Sequence, residues 1–231
     1  MKSIFRTVLA LASVLLFAGC ISTNQDIIFE IPHDGALLSG PYIKYYYDGE
    51  VAVNVVDAHY VDMPVLSVGV RINGDVPVKV YGQDQPEVEK YHSLCIKHSD
   101  TSYEGLDPYY DNPAKQCFAR DLSSIELVCG RDFDTAHPAG TSLLDKMNYS
   151  ASSLSRWIRN GYRLDTFQKE CFIIDKKADT LEADDLSLLC YFNMFQLQFT
   201  TSPAQPGSYE FTLTLTYDNG DVQTLNATVV F

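Results

Sequence analysis

The stretch DTSYEGLDPYYD, residues 100–111, sets Tyr103, Tyr109 and Tyr110 among the carboxylates of Asp100, Glu104, Asp107 and Asp111. Gly105 and Pro108 mark it as a loop. A phenol ring offers a flat apolar face and a polar tip, and a carboxylate accepts hydrogen bonds from hydroxyls. A sugar ring or a protein surface is recognised by that combination. The tyrosines would stack, while Asp107 and Asp111 would accept hydrogen bonds. The competing reading makes the same tyrosines a cover for the core edge. The acidic spacing D-x-x-x-E-x-x-D does not follow a calcium-binding EF-hand loop.

Trp157, the one tryptophan, lies in Arg156-Trp157-Ile158-Arg159 with Arg163 close by. A basic aromatic patch in an acidic chain would receive an anionic partner. Alternatively Trp157 is core, on the i, i+3, i+4 stripe of Leu154, Trp157 and Ile158, and the arginine stems surround it. His92, Cys95 and His98 have metal-ligand chemistry. On a strand the histidines would face away from the cysteine; on a helix the three would follow at i, i+3, i+6 with no fourth ligand nearby. Asp184-Asp185 are adjacent, so they diverge on a helix and read as solvated surface. There is no G-x-S-x-G elbow, no phosphate-binding glycine loop and no H-E-x-x-H. No metal and no cofactor is expected, and the chain reads as non-catalytic. A hydrolase acting on glycans or peptides would need carboxylates brought together from distant strands.

The elements around these residues are mostly strands. Apolar residues alternate through 66–72 and again through 76–80, with Asn73-Gly74 between them, which predicts a β-hairpin whose second strand, holding Pro77, is an edge. The end of the chain repeats the device. Tyr209, Phe211, Leu213, Leu215 and Tyr217 share one face, Asp218-Asn219-Gly220-Asp221 turns, and Leu225, Ala227, Val229 and Phe231 return on that face. Further strands are expected at 27–31, 51–56, 123–129, 172–175 and 191–200. Short helices are expected around Leu154–Ile158 and at 181–188, and a short linker at 83–85.

The N-terminus indicates location. Lys2 and Arg6 precede an uncharged apolar run, 7–18, too short to span a bilayer but right for a secretory signal. It ends in Leu16-Phe17-Ala18-Gly19-Cys20, which resembles the bacterial lipobox. The resemblance implies cleavage after residue 19 and acylation of Cys20, hence a bacterial envelope protein anchored by lipid, in the outer membrane. Residues 20–26 would be the tether and 27–231 the folded part, with two small β domains meeting near 85 as the alternative. Without Lys2 and Arg6 the 17 basic residues become 15, against 30 acidic, a net charge of −15. Such a field repels nucleic acid and anionic headgroups, so the membrane is reached through the lipid on Cys20. The five other cysteines, Cys95, Cys117, Cys129, Cys171 and Cys190, are an odd number outside the cytoplasm. One or two disulfides are expected, with buried free thiols as the alternative.

The ending PGSYEFTLTLTYDNGDVQTLNATVVF resembles the last two strands of immunoglobulin-like domains, where a tyrosine starts the penultimate strand after a Pro/Gly corner, as Tyr209 does here. The expected fold is mainly β: an immunoglobulin-like antiparallel β-sandwich with one or two short helical insertions. The expected role is a non-catalytic binding or adhesion module for a glycan or protein partner, with Tyr103, Asp107, Tyr109, Tyr110, Asp111 and Trp157 as the binding residues. A structural or assembly subunit of a surface or envelope complex is the alternative.

Overall fold

The computed structural model describes residues 37–56, 63–70, 78–83, 87–106, 116–163, 173–190 and 193–231. Their strands are β1 (Leu37–Gly40), β2 (Tyr45–Asp48), β3 (Val51–Val56), β4 (Val65–Val70), β5 (Lys79–Gly82), β6 (Tyr103–Leu106), β7 (Gln116–Phe118), β8 (Leu122–Cys129), β9 (Met147–Ser152), β10 (Ile173–Lys177), β11 (Asn193–Phe199), β12 (Ser208–Tyr217) and β13 (Val222–Val230). The helices are α1 (Val88–Lys97) and α2 (Ser155–Arg159), with 3-10 turns at Leu144–Lys146, Ala178–Thr180 and Ala183–Leu186. The expected strand at 27–31 lies outside the described residues, as do Cys20 and the tether.

The protein is a mainly β, antiparallel sandwich. A five-stranded sheet, order β10-β9-β11-β4-β3, packs on a three-stranded sheet, order β13-β12-β8. The period of two decides which side chains meet. Tyr209, Phe211, Leu213, Leu215 and Tyr217 of β12 are all buried, while Glu210 and the threonines between them face outward. They close on Leu66 and Val68 of β4, Tyr149 of β9 and Phe195, Leu197 and Phe199 of β11. Burying each such side chain is worth about 1.5–3 kcal/mol, so this core holds the two sheets together.

A second, tyrosine-rich core lies beside the sandwich. There β2 pairs antiparallel with β5 and parallel with β7, and α1 covers them with Tyr91, Leu94 and Cys95 at i, i+3, i+4. Tyr42, Tyr46, Tyr81, Tyr103 and Trp157 fill the space. Both cores draw on residues from either side of the expected linker at 83–85.

The C-terminal hairpin forms as the alternation predicts, with Thr216 opposite Val222. Its turn differs from the two-residue type in which both central residues have positive φ. Gly220 N donates to Tyr217 O at 3.0 Å and Gly220 alone adopts positive φ, +87°. This is a three-residue loop whose last residue is left-handed. Asn219 instead uses its side-chain oxygen to accept from Asp221 N at 3.0 Å. A Cβ on Gly220 would touch nothing within 4 Å, so a substitution there meets only backbone strain. Gly220→Val is expected to lower stability by about 1–3 kcal/mol, and Gly220→Asn, which tolerates this region, far less. Thermal melting of the two variants checks this, and equal melting temperatures would contradict the turn geometry.

Three expectations are corrected. The described parts of the alternating runs around Asn73-Gly74 are not partners: β4 pairs with β3 and β11 in the sandwich, and β5 pairs with β2 in the other core. β5 is an edge strand, but of that second sheet. The second short helix contracts to a 3-10 turn, Ala183–Leu186, ended by Ser187 in the extended conformation. Asp184 and Asp185 do diverge, but Asp185 is 0% exposed and not solvated surface. Its carboxylate accepts from Arg156 Nη2 at 2.6 Å, Lys176 Nζ at 2.7 Å and Glu182 N at 2.8 Å.

Candidate binding cleft

A cleft of about 720 Å³ opens at one end of the sandwich, lined by Arg131, Asp132, Phe133, Asp134, Thr135, Pro138, Ala204 and Gln205. Its wall is the loop RDFDTAHPAG that follows β8. Phe133 anchors the loop. It is fully buried, stacks on Phe199 at 6.0 Å, and meets Tyr209 and Phe231 edge-on. With Phe133 drawn into the core, its neighbours Asp132 and Asp134 are left on the cleft side.

Both carboxylates shape the loop. Asp132 accepts from Ala139 N at 2.8 Å, and Asp134 accepts from Ala136 N at 2.8 Å and His137 N at 2.9 Å. Gly140, at φ +80°, lets the chain double back so that its N–H reaches Cys129 O at 2.9 Å. His137, nearly buried, is held between two acids: Nδ1 lies 2.7 Å from Asp134 and Nε2 lies 3.1 Å from Asp145. The hydrogen bond from His137 and those from the backbone, with Lys146 at 3.4 Å, hold the Asp134 carboxyl down to about 2. Asp134 is therefore held in its ionised, hydrogen-bond-accepting form near neutral pH.

Across the cleft, Tyr209 Oη donates to Gln205 O at 2.7 Å, the bond of a tyrosine corner, and so fixes the 204–207 segment. Ala204 N donates to Phe133 O at 2.8 Å and ties that segment to the loop. The Arg131 guanidinium lies over the Tyr209 ring, 4.4 Å from its centroid. A cation over a ring is held by the ring's quadrupole, and a guanidinium so held carries its donors in a fixed fork. Chemically the cleft offers a rigid fork of donors, two fixed carboxylates, a threonine hydroxyl and an amide.

Those residues singled out by sequence that the structure describes lie elsewhere. Trp157 is 1% exposed and Tyr103 8% exposed, both inside the tyrosine-rich core. Asp107, Tyr109, Tyr110 and Asp111 lie outside the described residues. Asp100 is fully buried and structural: its carboxylate accepts from Tyr42 N and Ile43 N, each at 2.8 Å, and from Tyr162 Oη at 2.7 Å. Arg156 and Arg159, rather than forming a basic patch, pair with Asp185 and Asp184. The histidine trio is parted by the helix: His92 is exposed, whereas Cys95 is buried and the His98 side chain is turned inward near Asp121. No group of three metal-ligating side chains converges among the described residues. The cleft residues Arg131, Asp132, Asp134, Thr135 and Gln205 were missed by sequence reasoning. The signal for them was an apolar residue between two aspartates in a stretch closed by Pro138 and Gly140. Comparison with protein-family profiles, with curated proteins and with solved structures gives no match.

Proposed function

We propose that this chain is a lipid-anchored, non-catalytic binding module of the bacterial outer membrane, and that it takes a glycan in the cleft between residues 131–138 and 204–205. The observation that carries the reading is the preorganised cleft itself, with Arg131 over the Tyr209 ring and Asp134 fixed by His137. Neighbouring hydroxyls on a sugar ring present paired donors and acceptors. Planar groups such as a guanidinium, a carboxylate and an amide match them two at a time. Groups already held in place lose little entropy on binding. An aspartate held near 2 favours recognition over hydrolysis, which needs a carboxylic acid kept protonated at neutral pH. The lipobox-like ending at Cys20 supports the anchor, because several acyl chains on one cysteine are needed for stable attachment.

The test is a glycan array probed with the full lipoprotein in detergent, followed by affinity measurements on variants. Arg131→Ala is expected to weaken binding about thirtyfold, roughly 2 kcal/mol. Losing the stacked pair should shift the melting temperature by only a few degrees, since an exposed cation–π contact is worth about 0.5–1 kcal/mol. Tyr109→Ala and Tyr110→Ala serve as the comparison. If they abolish binding while Arg131→Ala does not, the site belongs to the 100–111 loop and the cleft reading fails.

One observation favours a second reading, a subunit that assembles through its C-terminal strand. β13 is the edge of its sheet and exposes Val222 and Val230, 62% and 69% accessible. An added strand from another chain could pair there.

A further inference from the structure

We propose that Cys117 and Cys190 are the site of an intrachain disulfide that closes as the protein folds in an oxidising compartment and staples β7 to the 188–190 segment inside the tyrosine-rich core. The two residues face each other across an antiparallel bridge between β7 and the segment that follows Ser187. Their sulfurs are 3.4 Å apart. Phe118 N donates to Leu189 O at 2.9 Å, so the ladder bond runs beside the cysteines and not between them. Facing residues at such a position have Cα atoms about 4.5 Å apart and the closest side chains of any strand pair. That spacing falls within the range of about 4.4–6.8 Å that disulfides span. The strand pairing has thus already made the approach that the bond requires.

The other described cysteines have no such arrangement. Cys95 sits on α1 against the Tyr91 and Tyr46 hydroxyls, and Cys129 ends β8 in the other core. Cys117 and Cys190 are 0% and 1% exposed. Burial pushes the Cys117 thiol up, away from the reactive thiolate, and the fold closes both sulfurs off from an oxidant in solution. The bond must therefore form before the core closes. Once formed, it is shielded from reductant for the same reason.

The oxidant is a disulfide, carried by a small thiol compound or a thiol oxidoreductase. One cysteine, as thiolate, attacks the oxidant's disulfide, releases one of its thiols and is left as a mixed disulfide. The other cysteine attacks that sulfur and releases the second thiol. The protein dithiol loses two electrons and two protons, and the oxidant gains both as two thiols.

The bond would tie together three pieces of chain. Cys190 N donates to Ser152 O at 2.8 Å and Leu154 N donates to Leu188 O at 3.1 Å, which join the 188–190 segment to the end of β9 and the start of α2. β7 in turn holds β2. The link joins residues 73 apart in sequence, and cross-links of that span restrict the unfolded chain strongly.

The experiment uses the full lipoprotein extracted from the envelope, alkylated without reduction, digested and mapped by mass spectrometry. The expected result is one linked pair of peptides carrying Cys117 and Cys190, with Cys95 and Cys129 alkylated. Reductant during unfolding should lower the melting temperature by about 10 °C. It should not do so in the Cys117→Ala, Cys190→Ala double variant. Because the peptide map uses the unaltered chain, it decides the matter even if that variant folds poorly. A link from either cysteine to Cys171 overturns the pairing, whereas alkylation of both in the extracted protein overturns closure in the cell. The proposal rests on export, and refolding the pure protein with oxidised and reduced glutathione separates the two claims. Closure of this pair there, with free thiols in cell-derived protein, upholds the pairing and counts against the exported state. Failure to close in both overturns the pairing.

Discussion

Trp157→Ala should lower the free energy of unfolding by about 3–5 kcal/mol. The indole is 1% exposed and is packed by three tyrosines, edge-on by Tyr42 at 4.5 Å and 76° and Tyr162 at 5.1 Å and 84°, and tilted by Tyr103 at 5.8 Å and 53° between ring centroids and planes. Tyr42 and Tyr162 each meet Tyr103 edge-on in turn, at 5.0 and 5.3 Å. Truncation removes the central ring of this group and leaves a void that rigid neighbours cannot fill. Each aromatic pair lost adds to the transfer free energy forgone. Tyr162 also carries a load beyond packing, since its hydroxyl donates to the buried Asp100 carboxylate. A fall of roughly 6–20 °C in melting temperature is expected for a chain of this size. Trp157→Phe, which keeps a ring in place, should cost less than the alanine. If Trp157 were an exposed binding residue, its removal would change stability by less than about 0.5 kcal/mol. Urea unfolding of the three proteins separates these outcomes.

Asp185→Ala should cost about 3–5 kcal/mol, for a different reason. The wild-type carboxylate, 0% exposed, accepts from Arg156, Lys176 and the Glu182 backbone. It thereby joins α2, β10 and the 3-10 turn Ala183–Leu186. Its removal leaves two cations aimed at a site without an anion. Because the Arg156 and Lys176 side chains are 38% and 27% exposed, both can turn partly to water, which places the loss at the lower end of that range. Asp185→Asn keeps an acceptor for Glu182 N but not the charge, and should fall between wild type and alanine. The contrast is Lys79–Glu87, 2.7 Å apart but 54% and 43% exposed, where Lys79→Met should leave stability close to that of the wild type. Melting in low salt and in about 1 M salt distinguishes the two pairs. The exposed pair should vanish in high salt, while the buried one is screened far less. A loss at Asp185 as small as that at Lys79 would show that the buried carboxylate is not a hub.

Glycine at position 220 and the alternation on either side of it were legible because a hairpin is a local object. The pleat imposes its period on ten successive residues, and the turn needs only its own backbone angles. For the same reason the strands near 51–56, 123–129, 172–175 and 191–200 could be read from their own patterns, as could the stripe Leu154, Trp157, Ile158. Which strands pair is a different matter. Asn73-Gly74 between two alternating runs signals a hairpin, yet β4 finds its partners in β3 and β11, and β5 finds β2 more than thirty residues earlier. The burial available to β4 in the centre of a five-stranded sheet exceeds anything a local turn can contribute. The nature of Asp185, the approach of Cys117 to Cys190 and the cleft beside Arg131 belong to that second kind. A carboxylate becomes a buried hub only when cations 29 residues before it and 9 residues before it arrive at its two oxygens. The mainly β architecture, the faces of the strands and the acidic field follow from the order of residues alone, since each depends on a neighbour's period or on a sum over residues. Pairing, burial of charge and the shape of the cleft were decided only by tertiary structure, because they depend on distances between segments that no local pattern encodes.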